Sequence, residues 1–481
     1  MNADDLCFAA ATAIARRIAS REVSPVEVVD AVLARAERLE PSLNIFAVLA
    51  AEAARAAARA AEAAVIGGQP LGPLHGVPIT IKDNVAVAGL PMASGSAAYR
   101  DFMPTSDAPV VARVKAAGAI PIGKTNLPEF AHKVLTDSPA FGVTRNPWRL
   151  DCTPGGSSGG ASAALAAGVA PLAIGTDGGG SIRCPASCAG VVGLKATFGR
   201  IPQEQPDGFA GFSFVGPMAR TAGDAALLLS VMAGPLAADP FSIAAASTIA
   251  PAPARGDASG MRIGWVEHFG RYRTEAEVAA ITGAAVRSLE ARGARVEELS
   301  DRCFEEVFDI YVVPATTNHA ARYGQLVAGW GERLSTSLRD SIRRGAGWSA
   351  VDWQRAHDKR TQLFRSVQRL FGRFDVIATP TMTAPPKPID AGGSIATEMY
   401  AEWAAPLYPF NLTGHPAISV PAGMTSDGLP VGLQLVGPWF GEMRLLQLAA
   451  LLEEIHDWPA RRPISLESND GGTPAQPKGT R

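Results

Sequence analysis

Hydrophobic positions recur along this chain with two periods, one helical and one of strands. Val28, Val29, Val32 and Leu33 fall at helical spacing behind Ser24-Pro25-Val26-Glu27, a capping box with proline at the first helical position. A helix is predicted there, and the Ala-rich residues 50–64, with their Glu and Arg, predict a second. The texture then changes. Residues 74–87 hold short apolar strands broken by Gly and Pro, and 119–122 read as another strand. From 153 to 199 the chain is dense in Gly, Ser and Ala, yet Leu165, Val169, Leu172, Ile174, Val191, Val192 and Leu194 interrupt it. That pattern marks a packed interior with loops of special geometry, unlike a flexible linker.

Further on, a strand (262–266), a helix (274–291) and a strand (295–299) form a βαβ-like unit. Residues 375–380 make another buried strand. Residues 417–421 and 429–436 make two more, joined as a hairpin through 423–428. The stretch 244–260, with Pro251 and Pro253 and no apolar periodicity, is a candidate linker, and the polar tail 467–481 is expected to be disordered. Strands alternating with helices throughout predict one large α/β sandwich over residues 1–466. Its parts are a helical N-terminal part (about 1–66), a core (about 70–235) and a second α/β part (about 261–466).

Composition narrows the class. Of 481 residues, 47 % are hydrophobic and 19 % charged, which supports a sizeable core and excludes a disordered chain. With Lys plus Arg at 44 and Asp plus Glu at 46, the net charge is −2, so neither nucleic acid nor an anionic membrane is an expected partner. No apolar run reaches the ~20 residues of a membrane span. The first residues, Met1-Asn2-Ala3-Asp4-Asp5, are acidic where a signal peptide is basic, and five cysteines make no disulfide framework. A cytoplasmic location is expected. The seven histidines are scattered with no HExxH, so no zinc site is indicated, and neither a metal nor a cofactor is among the expectations.

Four patterns carry candidate chemistry. Gly118-Ala-Ile-Pro-Ile-Gly123-Lys124-Thr125 matches the Walker A pattern, but its middle residues form an apolar strand with a proline that has no N–H. Gly155-Gly156-Ser157-Ser158-Gly159 matches a nucleophile elbow. That elbow needs a buried strand just before it, and Leu150-Asp151-Cys152-Thr153-Pro154 reads as a loop, so an α/β-hydrolase-type esterase is the weaker alternative. Cys184 and Cys188, without further ligands at metal spacing, read as small buried apolar side chains.

The fourth pattern joins three segments. In Gly76-Val77-Pro78-Ile79-Thr80-Ile81-Lys82-Asp83, strand alternation puts Val77, Ile79 and Ile81 on one face and Thr80 and Lys82 on the other. A lysine buried there is desolvated, which favours its neutral amine. Being largely neutral at pH 7 requires a drop of about 3 units from ~10.4, or about 4 kcal/mol of environment. Pro154-Gly155-Gly156-Ser157-Ser158-Gly159-Gly160 and Gly175-Thr176-Asp177-Gly178-Gly179-Gly180-Ser181-Ile182-Arg183 each place a serine in a glycine run whose N–H groups can converge on an anion.

Together the three segments resemble the amidase signature hydrolases. The likeness spans nearly the whole chain. It runs through Leu74-His75, Gly123-Lys124-Thr125-Asn126, Phe141-Gly142, Asn146-Pro147-Trp148, Gly216-Pro217-Met218-Ala219-Arg220, residues 375–380 and Gly432-Leu433-Gln434-Leu435. It implies a three-layer αβα sandwich with a large mixed central sheet. It also implies a Ser–Ser–Lys triad: Ser181 as nucleophile, Ser157 as a bridging serine in a cis peptide, and Lys82 as base. The N–H groups of Gly178, Gly179, Gly180 and Ser181 would hold the oxyanion, Ser158 and Asp177 would orient the loops, and Arg183 would anchor the loop after the nucleophile. Gly178 departs from the family's frequent Thr or Ile, which loosens that loop in principle while keeping its donors.

The resemblance also implies a small-molecule amide or carbamate as substrate, urethanes included. Ala131, His132, Phe212 and Trp403, with Phe209, Phe214 and Tyr408, are the candidates to line its pocket. A glutaminase-type subunit of a tRNA-dependent amidotransferase is the alternative, and a homodimer is the candidate assembly.

Overall fold

The computed structural model describes residues 2–203, 211–244, 249–254, 256–391 and 398–463. Eleven strands of these residues build one mixed sheet. In spatial order they are Phe46–Leu49, Ile120–Thr125, Pro78–Lys82, Leu172–Asp177, Phe214–Ala219, Val192–Lys195, Ala417–Met424, Pro430–Val436, Val376–Pro380, Arg262–Trp265 and Arg295–Glu298. The Pro78–Lys82 strand runs parallel to both neighbours. Antiparallel pairs carry the sheet onward, and Ala417 opposite Lys195 joins the segments before 235 and after 261 into one sheet. The predicted βαβ unit forms, with Arg262–Trp265 and Arg295–Glu298 parallel and helix Ala276–Arg287 between them in sequence. The predicted hairpin forms as well, Ala417–Met424 against Pro430–Val436.

Strand alternation sorts the sheet's side chains onto two faces. Ile79, Ile81, Leu172, Ile174, Val376 and Ala378 point to one face, where they pack with leucines of helices Ala222–Met232 and Glu442–His456. Ala173 and Met218 point the other way, against helices Gly159–Ala166 and Arg183–Ala189. Ile377 and Val436 share that second side with the long helices Val307–Tyr323 and Ala350–Leu370. The result is the expected sandwich of helices, sheet and helices.

Local signals hold where they are strong. Ser24 Oγ accepts from the Glu27 N–H at 3.1 Å and Glu27 accepts from the Ser24 N–H at 2.8 Å, opening the helix Pro25–Leu43. The alanine run forms Ala51–Ile66. Of the 244–260 stretch, residues 245–248 and 255 lie outside the described residues. Its far end is docked, with Ala258 buried and its N–H donating to Arg292 O at 2.9 Å. The tail 467–481 lies outside the described residues. Among the described residues no helix is long and apolar enough to cross a membrane.

Helix Ala11–Ala19 begins on Ala10, which makes no side-chain cap. Asp224, buried in helix Ala222–Met232, accepts the N–H groups of Ala11 at 2.9 Å and Thr12 at 3.0 Å in its place. Two charge-assisted bonds at a helix N-terminus are lost in Asp224→Ala, and the buried Ala11 N–H is left bare while the exposed Thr12 can turn to water. We expect a loss of about 2–4 kcal/mol in chemical denaturation, with kcat of the remaining folded enzyme unchanged. A loss below about 0.5 kcal/mol refutes this capping role.

Candidate active site

Lys82 ends the strand Pro78–Lys82 and is fully buried. The apolar face of that strand fixes the side on which Lys82 emerges, as the alternation predicts. Its Nζ lies 2.7 Å from Ser157 Oγ and 2.8 Å from Thr176 Oγ1. Asn84 Nδ2 donates to the same Thr176 oxygen at 3.1 Å. Burial pushes the amine well below the ordinary lysine range, opposed only partly by the charge of Asp177. A neutral amine here has a hydroxyl as its immediate neighbour.

Ser157 sits at the entry to helix Gly159–Ala166, and the Gly156–Ser157 peptide is cis. The backbone approaches other chain segments too closely for side chains on this loop. A Cβ on Gly156 would stand 2.7 Å from the Val134 carbonyl carbon, and one on Gly160 would stand 2.5 Å from Ile45 O. Ser158 ties the loop down: its N–H donates to Ser181 O at 3.2 Å, and its hydroxyl donates to Thr176 O at 3.2 Å.

Ser181 lies between the strand Leu172–Asp177 and helix Arg183–Ala189. Asp177 organises that connection. Its buried carboxylate accepts from Arg183 Nε at 2.9 Å and Nη2 at 3.0 Å, and from Asn411 Nδ2 at 2.8 Å. Burial alone would raise its pKa, but the guanidinium and its hydrogen bonds hold it well below the usual carboxylate range. Arg183, also fully buried, extends the network to Gln434 Oε1 at 2.6 Å, Leu407 O at 3.2 Å and Asn411 Oδ1.

Lys82, Ser157, Ser158, Asp177, Ser181 and Arg183 are therefore brought together. Among the hydrogen bonds of the described residues, Lys82–Ser157 is present and Ser157–Ser181 is not. One expectation needs correction. The Gly180 N–H donates to Asp177 Oδ1 at 2.6 Å, so it is not available to an oxyanion. The N–H groups of Gly178, Gly179 and Ser181 have no partner among the described residues.

A cleft of about 500 Å³ opens over Ser157, Thr176, Gly178, Gly179 and Ser181. Ala131 and His132 line it, as expected. His132 is a wall and carries no spare nitrogen: Nδ1 lies 2.6 Å from Glu129 O and Nε2 2.6 Å from Ser337 Oγ, and burial keeps its pKa well below the ordinary value. Phe212 and Trp403 do not reach the cleft. Phe212 packs under the Arg360 guanidinium, 4.1 Å from its ring centre, and the Trp403 indole is buried with its N–H on Ala384 O at 2.9 Å. Phe214 turns away beneath Lys195, while its neighbours Ser213 and Val215 face the cleft. Tyr408 does line it, and Phe209 lies outside the described residues.

One wall escapes the sequence reading. Helix Val307–Tyr323 presents Tyr311, Asn318, His319, Arg322 and Tyr323 to the cleft. Their spacing, i, i+7, i+8, i+11 and i+12, is one face of a helix, and that regular run of polar and aromatic residues was the available signal. The Walker A match is a strand, Ile120–Thr125, with Lys124 Nζ 3.3 Å from Asp83 Oδ1. Cys184 and Cys188 are buried free thiols.

Comparison with known proteins identifies the family. The family model described as Amidase matches residues 27–446. An acylamidase of Rhodococcus erythropolis is 36 % identical over 473 residues, covering 96 % of this chain and 98 % of the relative. A glutamyl-tRNA(Gln) amidotransferase subunit of Roseiflexus sp. is 39 % identical over 469 residues, covering 92 % of this chain and 95 % of the relative. The solved structure of 6-aminohexanoate cyclic dimer hydrolase complexed with substrate superposes with a TM-score of 0.86 at 31 % identity, over 96 % of this chain and 99 % of that one. With a buried lysine on a serine loop, the sheet that carries it and a match across nearly its whole length, this chain belongs to the amidase family, the amidase-signature hydrolases of carbon–nitrogen bonds.

Proposed function

We propose that this amidase cleaves uncharged amides bearing an apolar or aryl group, through an acyl-enzyme on Ser181. The 2.7 Å contact between a desolvated Lys82 amine and Ser157, beneath a cleft that also holds Ser181, carries the reading. Neutral Lys82 takes the Ser157 proton as Ser157 takes that of Ser181, and Ser181 Oγ bonds to the carbonyl carbon. The oxyanion is met by the N–H groups of Gly178, Gly179 and Ser181. The proton returns through Ser157 to the leaving nitrogen as the C–N bond breaks. Water then adds to the acyl-enzyme by the same relay and frees the acid.

The walls support this substrate class. Phe130 and Tyr323 stack at 4.0 Å on one side, and Tyr311 and Tyr408 stack at 4.4 Å on another. Such faces favour flat apolar groups. The acylamidase and cyclic dimer hydrolase relatives are consistent with this class. Carbamates share the carbonyl chemistry and belong in the same screen.

The amidotransferase relatives support a second reading, a glutaminase within an amidotransferase. Holding free glutamine calls for opposite charges on its amine and carboxylate. Asp107 is the carboxylate lining the cleft among the described residues, and Lys115 already holds it at 2.8 Å. That favours the stand-alone amidase.

Three outcomes are expected. Ser181→Ala abolishes hydrolysis of an acyl anilide, and Lys82→Ala lowers kcat/KM about 100- to 10,000-fold with the fold intact; wild-type rates in either remove the triad. Because only the neutral amine accepts a proton, kcat/KM rises with pH through the lowered pKa of Lys82, well below ~10.4, and then levels off. A rate that falls from about pH 6 to about pH 9 in folded enzyme contradicts that base. Finally, the purified chain should turn over an anilide and leave glutamine intact; ammonia release from glutamine at a comparable rate favours the second reading.

A further inference from the structure

An oxyanion site is only as good as the aim of its N–H groups. Gly178, Gly179 and Gly180 are three successive residues with the greatest backbone freedom, so something outside the loop must fix them. In a trans peptide the C=O of one residue and the N–H of the next lie antiparallel in one plane. Whatever holds a carbonyl therefore aims the following N–H in the opposite direction.

The structure supplies a holder for each of the three peptides that matter. Asn411 Nδ2 donates to Asp177 O at 3.0 Å, which sets the Gly178 N–H. The Cys184 N–H donates to Gly180 O at 2.7 Å, which sets the Ser181 N–H. Between them, Tyr311 Oη donates to Gly178 O at 3.1 Å, which sets the Gly179 N–H. The remaining peptide is locked by the Gly180 N–H on Asp177.

Tyr311 is the one holder that comes from a wall of the cleft. It is buried in helix Val307–Tyr323 and its ring is stacked on Tyr408 with an interplanar angle of 26°. Its hydroxyl is pressed onto the loop so closely that a Cβ on Gly179 would stand 2.1 Å from it. A hydrogen bond to a carbonyl also polarises the peptide and strengthens its N–H as a donor.

We propose that Tyr311 is a positioning residue for the oxyanion site, acting through the Gly178 carbonyl to aim and polarise the Gly179 N–H. The proposal rests on the acyl-enzyme reading above. It places on Tyr311 the constraint that a side chain at position 178 would otherwise provide. Its effect belongs to the transition state, because the charge that the Gly179 N–H meets develops only there.

Tyr311→Phe tests this, since it removes the hydroxyl and keeps the stacked ring. The expected result is a fall in kcat of about 10- to 100-fold on an acyl anilide, with KM within about threefold of wild type. A trifluoromethyl ketone with the same acyl group, which forms an oxyanion on the nucleophile, should lose affinity by the same factor as kcat/KM. The acid limb of the pH profile should stay in place, because Lys82 is untouched. Wild-type kcat in Tyr311→Phe overturns the proposal, as does a loss confined to KM with the ketone bound as before. If Ser181→Ala is inactive in the same assays, only the role of Tyr311 has failed; if Ser181→Ala is active, the acyl-enzyme reading has failed with it.

Discussion

The proposed proton relay depends on a single amine kept away from water. In water a lysine holds its proton until about pH 10.4 and cannot serve as a base at neutrality. Lys82 is stripped of solvent because it ends a strand flanked by parallel neighbours on both sides and is roofed by the Ser157 loop. The burial is not local to that strand. It needs Val77, Ile79 and Ile81 anchored in the opposite core, so that the strand cannot slip by one residue and turn Lys82 outward. The fold spends a whole sheet on enforcing one register.

Around that amine, the Asp177–Arg183 pair does the work of assembly. Both side chains are fully buried, and such a pair contributes little net stability against an apolar replacement. What it supplies is geometry. Asp177 meets five donors, from Arg183, Asn411, Gly180 and Ile182, and Arg183 reaches Gln434 on a distant strand. Residues more than two hundred positions apart in sequence thereby agree on where Ser181 stands. Phosphate-like convergence of N–H groups in a glycine loop is common. Here the carbonyls of Asp177, Gly178 and Gly180 and the Asp177 carboxylate are claimed, and the N–H groups left without a partner among the described residues belong to Gly178, Gly179 and Ser181, which line the cleft.

Much of this was legible in the sequence, and the misses share a cause. Strand alternation placed Lys82, and glycine runs around Ser157 and Ser181 marked loops where backbones come close. The capping box at Ser24 and the hairpin at 417–436 were read from neighbours a few residues apart. Phe212 and Trp403 failed because segment and orientation are separate facts. Each lies in a segment near the site, yet one ring found a guanidinium and the other a carbonyl for its indole N–H. Gly180 looked identical to its two neighbours, but an aspartate three residues before it offered an acceptor, and φ of 107° lets the N–H turn back to it. The Tyr311 wall carried a signal in its helical spacing, but a second, apolar pattern on the same helix competed with it. Its helix is apolar at Val307, Phe308, Val312 and Val313, so a core reading is natural, and only the tertiary fold shows which face meets the cleft.

Burial alone does not identify a base. Lys82, Lys124 and Lys195 are all fully enclosed, and burial lowers the pKa of each. Their neighbours separate them. Lys124 faces Asp83 at 3.3 Å, a partner that favours keeping the proton. Lys195 donates to the carbonyls of Ala196 and His415 and sits 3.9 Å from the centre of the Phe214 ring. Carbonyls and a π-face can receive a hydrogen bond, but they cannot hand a proton on. Among the described residues, Lys82 alone of the three touches hydroxyls, and a hydroxyl both accepts and donates. A desolvated amine becomes useful for catalysis when the atom beside it can pass a proton to something the substrate can reach, and in the proposed relay Ser157, which lines the cleft with Ser181, has that place.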